Sequence, residues 1–239
     1  MKYKYINFLL MLFSLISFTS EVVADNRRYV WTYEYMTTPR GKAEFEHYFT
    51  LSAPKINEMK GNTISTLQFE FEIGMTDNFD IGIYQVFSQA PSSSFTYDGY
   101  KIRARYKFGE KNLYIVDPLL YIEYVGTPDF TKHEIETKLI LAKDFDKFNI
   151  SFNPILAFEK EDKKWETKPE YALGVSYELA ELIRFGFEFK GSEEANYLGP
   201  VISHGKDGLW MSLGSAFKIG KVEKGKPEFE LRWMLGIGL

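Results

Sequence analysis

The stretch LQFEFEIG, residues 67–74, sets Leu67, Phe69, Phe71 and Ile73 on one face of an extended chain and Gln68, Glu70 and Glu72 on the other. A side-chain period of two belongs to a β-strand and cannot sit still on a helix. The same alternation returns in YKIRARYKF (100–108), where Lys101, Arg103, Arg105 and Lys107 oppose an apolar face, and in IRFGFEFK (183–190). Helical periodicity is hard to find beyond the N-terminus. Twelve segments carry the strand pattern: 42–51, 64–74, 79–88, 97–108, 117–126, 132–142, 147–158, 168–178, 183–190, 196–203, 208–218 and 228–239.

The connections alternate in length. Tight turns are expected at 74–79, 108–113, 143–148, 178–183 and 203–208, and longer polar loops at 52–62, 89–99, 159–168 and 219–227. Short turns on one rim and long loops on the other are the rhythm of an up-and-down barrel. A soluble sandwich would bury the apolar face instead, so alternation by itself leaves both open. Strand length decides between them: ~10 residues tilted in a bilayer span it, whereas soluble strands are nearer 5 or 6. Hydrocarbon forbids an open sheet edge, so the strands must close. The expected fold is all-β, a transmembrane antiparallel up-and-down β-barrel of about twelve strands.

Composition agrees with that reading. Aromatics make up 17% of the 239 residues, with 21 Phe and 16 Tyr, an excess that aromatic girdles at the lipid boundary would use. Lys2 and Lys4 precede an apolar run from Ile6 to Phe18 and the small-residue pattern Val22-Val23-Ala24, which reads as a secretory signal over 1–24. Its removal takes Lys2, Lys4 and Glu21, leaving 27 basic and 32 acidic residues and a net charge of −5. A nucleic-acid partner would need a basic footprint, so none is expected. With no cysteine in the chain, stability must come from packing and hydrogen bonds. Residues 25–41, in which Tyr29, Trp31, Tyr33 and Tyr35 alternate, suit an additional strand, a tucked inner segment or a periplasmic stub; 42–239 are assigned to the barrel.

The chain ends PEFELRWMLGIGL, with Phe229, Leu231, Trp233, Leu235, Ile237 and Leu239 on every second position. Termini normally turn polar. This one is expected to pair with the first strand and lie against lipid. Signal sequence, absence of cysteine, amphipathic strands and this terminal strand together resemble Gram-negative outer-membrane β-barrel proteins, although the family's final strand usually finishes in an aromatic residue and this one in Leu239. The resemblance implies an outer-membrane location, lipid as a partner, and recognition of 228–239 by the barrel-assembly machinery. A narrower resemblance, carried by YEYMTTPRGKAEFEHYFTL (33–51), is to the outer-membrane barrels classed as transporter-like or as part of phenol-degradation pathways.

Catalytic chemistry is thinly represented: no enzyme, cofactor or metal site is expected, and an outer-membrane lipid or ester hydrolase stands as the third alternative, behind a channel and a sealed barrel. Ser203, His204 and Asp207 lie close together in SHGKDG, but Gly205, Asp207 and Gly208 there make a turn. Residues two after His47, His133 and His204 are Phe49, Ile135 and Lys206, so the His-x-Ser arrangement of barrel phospholipases is missing.

The inward face carries the remaining signal. Its acids are Glu44, Glu46, Glu70, Glu72, Asp80, Glu123, Glu134, Glu136, Glu170, Glu188 and Glu230; its bases are Lys101, Arg103, Arg105, Lys107, Lys138, Lys168, Arg184, Lys190, Lys218 and Arg232. Two readings follow. Acidic first and second strands opposing a basic fourth across a water-filled lumen would filter small polar or ionic solutes, giving a passive channel. The same charges paired across a narrow lumen would give a sealed structural or binding barrel. Inward Gly82, Gly174, Gly186, Gly214, Gly236 and Gly238 leave room for a pore or serve curvature.

Overall fold

The computed structural model describes residues 26–161, 164–206, 208–221 and 223–239, so the expected signal sequence lies outside the described residues. The described residues form twelve strands and no helix: β1 (Ala43–Ala53), β2 (Ile64–Thr76), β3 (Phe79–Gln89), β4 (Thr96–Lys107), β5 (Asp117–Gly126), β6 (His133–Phe145), β7 (Phe148–Glu161), β8 (Lys164–Ala180), β9 (Ile183–Ser192), β10 (Asn196–Lys206), β11 (Leu209–Ile219) and β12 (Phe229–Gly238). Each is antiparallel to its sequence neighbours, and β12 returns to β1, closing the barrel.

The closing ladder runs from Glu44 opposite Gly238 to Ala53 opposite Phe229. It continues to the last residue, where the Leu239 N–H donates to the Ala43 carbonyl at 2.8 Å. The apolar alternation at the C-terminus thus belongs to a strand with neighbours on both sides, and no sheet edge is left.

Alternation sorts the side chains as a barrel requires. On β5, Leu119, Tyr121 and Glu123 are buried, while Leu120 and Ile122 between them are 38% and 44% exposed. Phe71, Ile83, Ile102, Phe187, Ile202 and Leu213 continue that exposed apolar face around the barrel. The aromatic excess is shared between the two faces. Tyr48, Tyr84, Tyr121, Tyr197 and Trp210 point inward and are buried, so girdles explain only part of it.

Two connections differ from expectation. Residues 159–168 were expected as a long loop, yet β7 and β8 pair as far as Glu161 and Lys164, making a hairpin that extends the wall. The link after β4, expected to be tight over 108–113, takes nine residues, 108–116. Its Asn112 N–H donates to the Asp117 carboxylate at 3.0 Å, and its Gly109 carbonyl accepts from the Tyr35 hydroxyl at 2.7 Å, so this loop reaches toward the lumen.

On β12, Leu235 lies outward between His47 and Met211, whereas Met234 is fully buried inside. Leu235→Lys is therefore expected to cost ~2–4 kcal/mol of barrel stability in lipid, read as loss of the heat-dependent shift on SDS gels. From the alternation alone, Met234→Lys should be the milder change because it faces a wet interior. The structure reverses this, since Met234 packs with Tyr29, Val30, Tyr48, Tyr84 and Trp210 in an apolar cluster, where an ammonium lacks both solvent and partner. Assembly of M234K equal to wild type would contradict that packing.

Candidate functional site

Residues 26–38 are a tucked inner segment, and the chain emerges at Arg40 and Gly41, both exposed. Tyr29, Val30 and Thr32 are at most 1% exposed; a strand in the wall would expose one of its two faces, and this segment buries consecutive residues. It closes on itself through Arg28, whose N–H donates to Glu34 at 2.7 Å and whose guanidinium pairs with the same carboxylate at 3.3 Å. Burial pushes the Glu34 carboxyl above the ordinary carboxylate range, and Arg28 pulls it back.

The wall holds this segment by polar side chains. Glu188 of β9 accepts three successive backbone N–H groups, Val30 at 3.0 Å, Trp31 at 2.9 Å and Thr32 at 2.7 Å. Asn153 of β7 brackets Tyr33, accepting from its N–H at 2.6 Å and donating to its carbonyl at 3.0 Å. The Tyr29 hydroxyl meets Asn149 at 2.8 Å and Ser176 at 3.0 Å, and Thr38 meets Asp80 and Glu72, both at 2.8 Å. The inward glycines leave room, but that room is occupied: a Cβ at Gly174 would collide with the Tyr29 ring, and one at Gly214 with Val30.

Expected lumen residues fall into separate groups. Glu44, Glu46, Glu70, Glu72, Asp80, Arg103 and Arg105 form one fully packed wall over β1–β4. Arg103 lies 3.1 Å from Glu70 and 2.8 Å from Glu72, and Arg105 lies 2.7 Å from both Glu72 and Asp80. These bases were expected to oppose the acids across the lumen. Instead β4 and β2 are separated only by β3, and Gly82 lets Arg103 reach over it, because a Cβ there would collide with both the Glu70 carboxylate and the Arg103 guanidinium. The arginines therefore sit among the acids and offset part of their charge within one wall, and at this level they do not form a separate basic wall across the lumen. Glu44, Glu46 and Glu72 bring carboxylate oxygens within 4.8 Å of one another, but donors already serve them: Trp210 for Glu44, Arg27 and Tyr48 for Glu46, and Thr38 with the two arginines for Glu72.

A second group faces an open vestibule of about 480 Å³ toward the long-loop rim, floored by Val30, Trp31 and Tyr33. Lys101 pairs with Glu123 at 3.0 Å, Lys138 with Glu136 at 2.8 Å, and Lys190 with Glu230. Each of these lysines also stands over an aromatic ring: Lys101 over Tyr84, Lys138 over Tyr33 and Tyr121, Lys190 over Trp31 and Tyr197, a contact favourable to a partly desolvated cation. Arg232 donates to Thr50 at 2.9 Å and to the Val30 carbonyl at 3.1 Å.

Other expected residues stand apart. Arg184 pairs with Glu178 at 3.8 Å, away from the vestibule; Lys107 lies near the short-turn rim, and Glu134 lines a separate recess under the long loops. Ser203 is buried inside, while His204 lies on the outer face of the same strand. Adjacent strand residues point to opposite faces, so the two cannot act together; Asp207 is outside the described residues. The residues that sequence reasoning missed are the wall's grips on the inner segment, Asn149, Asn153 and Ser176, and the inward rings. Their signal was the inward phase of the alternation, where a tyrosine or asparagine occupies a slot that a lipid-facing count passes over.

No protein-family model and no curated protein matches the chain. Among solved structures it is similar to an outer membrane channel from Pseudomonas putida F1, at TM-score 0.63 and 10% identity over 88% of this chain and 100% of that one. The KdgM porin follows at TM-score 0.54 and 9% identity over 82% and 97%, and the NanC porin at 0.51 and 8% over 82% and 98%. The chain has the fold of these outer-membrane channels, a closed antiparallel up-and-down barrel, here of twelve strands.

Proposed function

We propose that the chain is an outer-membrane barrel serving as a passive channel for small polar or ionic solutes, closed by its own N-terminal segment. The observation carrying this reading is the combination of a charged vestibule with a floor that is not part of the wall. Residues 26–38 belong to no strand and are tied to the wall through hydrogen bonds that involve side chains, so they can leave without breaking the ladder that closes the barrel. The apolar outer face fits lipid, and the similarity to porins supports the same direction. Strand β12, at the end of 228–239, is then the segment the barrel-assembly machinery would recognise.

A sealed binding barrel is the second reading, favoured by how completely Tyr29, Val30 and Thr32 are packed. Single-channel recording of the refolded full chain separates the two. A closed baseline broken by rare ohmic steps is expected. Silence that persists when the inner segment has been released overturns the channel.

A further inference from the structure

The vestibule gathers charged side chains of both signs. Among its lining residues are six bases, Arg27, Lys101, Lys138, Lys190, Lys226 and Arg232, and four acids, Glu123, Glu136, Glu170 and Glu230. Two of these bases are offset by carboxylates just outside the lining, Arg27 by Glu46 and Lys226 by Glu194, so the charges balance, and what the vestibule can bind is decided by the groups left without a partner.

Pairing shows which cation is left uncommitted. Lys101, Lys138 and Lys190 each hold a vestibule carboxylate, Arg27 is committed to Glu46, and Lys226 to Glu194. Arg232 is different. Its contacts are a hydroxyl and a carbonyl, both neutral, and among the described residues no carboxylate lies within ion-pair distance of it. A guanidinium offers five N–H donors in a planar fork that matches a carboxylate, and here the fork is only partly used. It sits 5.5 Å from the centre of the Trp31 ring, with Lys190 4.6 Å from that same ring. The Trp31 indole N–H has no acceptor in the protein, although buried donors are rarely left so. At this corner Glu230 and Glu188 stand with the two cations, but the Arg232 fork and the Trp31 N–H still leave donors unused, and the group that completes them is an oxygen-rich anion. The volume, about 480 Å³, falls in the usual range for small-molecule pockets.

We infer that the vestibule binds a small organic carboxylate of about monosaccharide size, held by Arg232 and Lys190 beside the Trp31 ring. This site takes its place on a transport route from the channel reading above, but its occupancy can be measured without transport. The test is titration calorimetry of the refolded full chain in detergent with sodium glucuronate, glucose and glucosamine, which share a ring and differ in charge. Glucuronate is expected to bind at least about tenfold more tightly than glucose, with glucosamine weakest. Arg232→Gln is expected to weaken glucuronate about ten- to a hundredfold, as loss of a charge-assisted hydrogen bond does, and Arg232→Lys to restore part of it. Trp31→Phe, which keeps an aromatic ring but removes the pyrrole half of the indole with its N–H, provides a second variant should R232Q fail to fold; it is expected to weaken glucuronate several-fold. Equal affinity for glucose and glucuronate, preference for glucosamine, or unchanged binding in the folded variants overturns the inference. Binding by a barrel that never conducts upholds the site and overturns the channel. Conduction without glucuronate binding does the reverse.

Discussion

Replacing Arg103 by methionine is expected to lower the stability of the folded barrel by about 3–5 kcal/mol, the usual consequence of stripping one partner from a buried ion cluster. Five carboxylates, Glu44, Glu46, Glu70, Glu72 and Asp80, share this wall with three cations, Arg27, Arg103 and Arg105, and all eight are at most 3% exposed. Glu44 stands directly opposite Glu72 in the register, and Glu46 opposite Glu70, an arrangement that repels unless a cation lies between. Arg103 occupies that place for Glu70, Glu72 and Asp80 together. Without it two cations face five acids. Adding Glu70→Gln to R103M should recover part of the loss, and a double-mutant cycle measures the coupling. The readout is the unfolding midpoint in denaturant with the barrel in lipid vesicles. A change below ~1 kcal/mol, the range of solvated surface pairs, accompanied by altered ion selectivity, would mean that this wall faces a water-filled pore.

How much of this was legible in the sequence depends on which physical constraint spoke. Strand number, facing and closure were all readable, because a one-residue error in a two-residue period would turn Phe69 and Phe71 into the lumen and Glu70 and Glu72 into lipid. The strand ends were less so. Glu159, Lys160 and Trp165 read as a polar loop but continue the ladder between β7 and β8, since hydrogen bonds along a hairpin do not require an apolar face. The inner segment was ambiguous for a related reason. Tyr29, Trp31, Tyr33 and Tyr35 show the period of a strand, yet Val30, Thr32 and Glu34 between them are buried too, and no local pattern reveals that a segment is enclosed on every side. The partnership of Arg103 with Glu70 and Glu72 was hidden in the same way: it needs β2, β3 and β4 adjacent, with Gly82 as the gap between them, and adjacency follows from topology.

Replacing Glu188 by alanine is expected to convert a mostly closed barrel into one that opens often, by more than about a hundredfold in the released population. Its carboxylate, 2% exposed, accepts the N–H groups of Val30, Trp31 and Thr32. A buried backbone donor without an acceptor costs about 1–3 kcal/mol, so three of them together exceed the ~2.7 kcal/mol that a hundredfold shift requires. The inner segment escapes that penalty by leaving the lumen, where water replaces the carboxylate. The barrel itself does not depend on this side chain, because β9 is held to β8 and β10 by its backbone. Glutamine at 188 keeps an accepting oxygen and should fall between alanine and wild type. Two measurements on the refolded protein are paired: current across a planar bilayer, and cleavage within residues 26–38 by added protease. Segment cleaved and current sustained is the expected outcome for E188A. A cleaved segment with no current would leave a barrel that binds but does not conduct. A segment still protected, with the current unchanged, would transfer its anchorage to Asn153, Asn149 and Thr38, the contacts that E188A leaves in place.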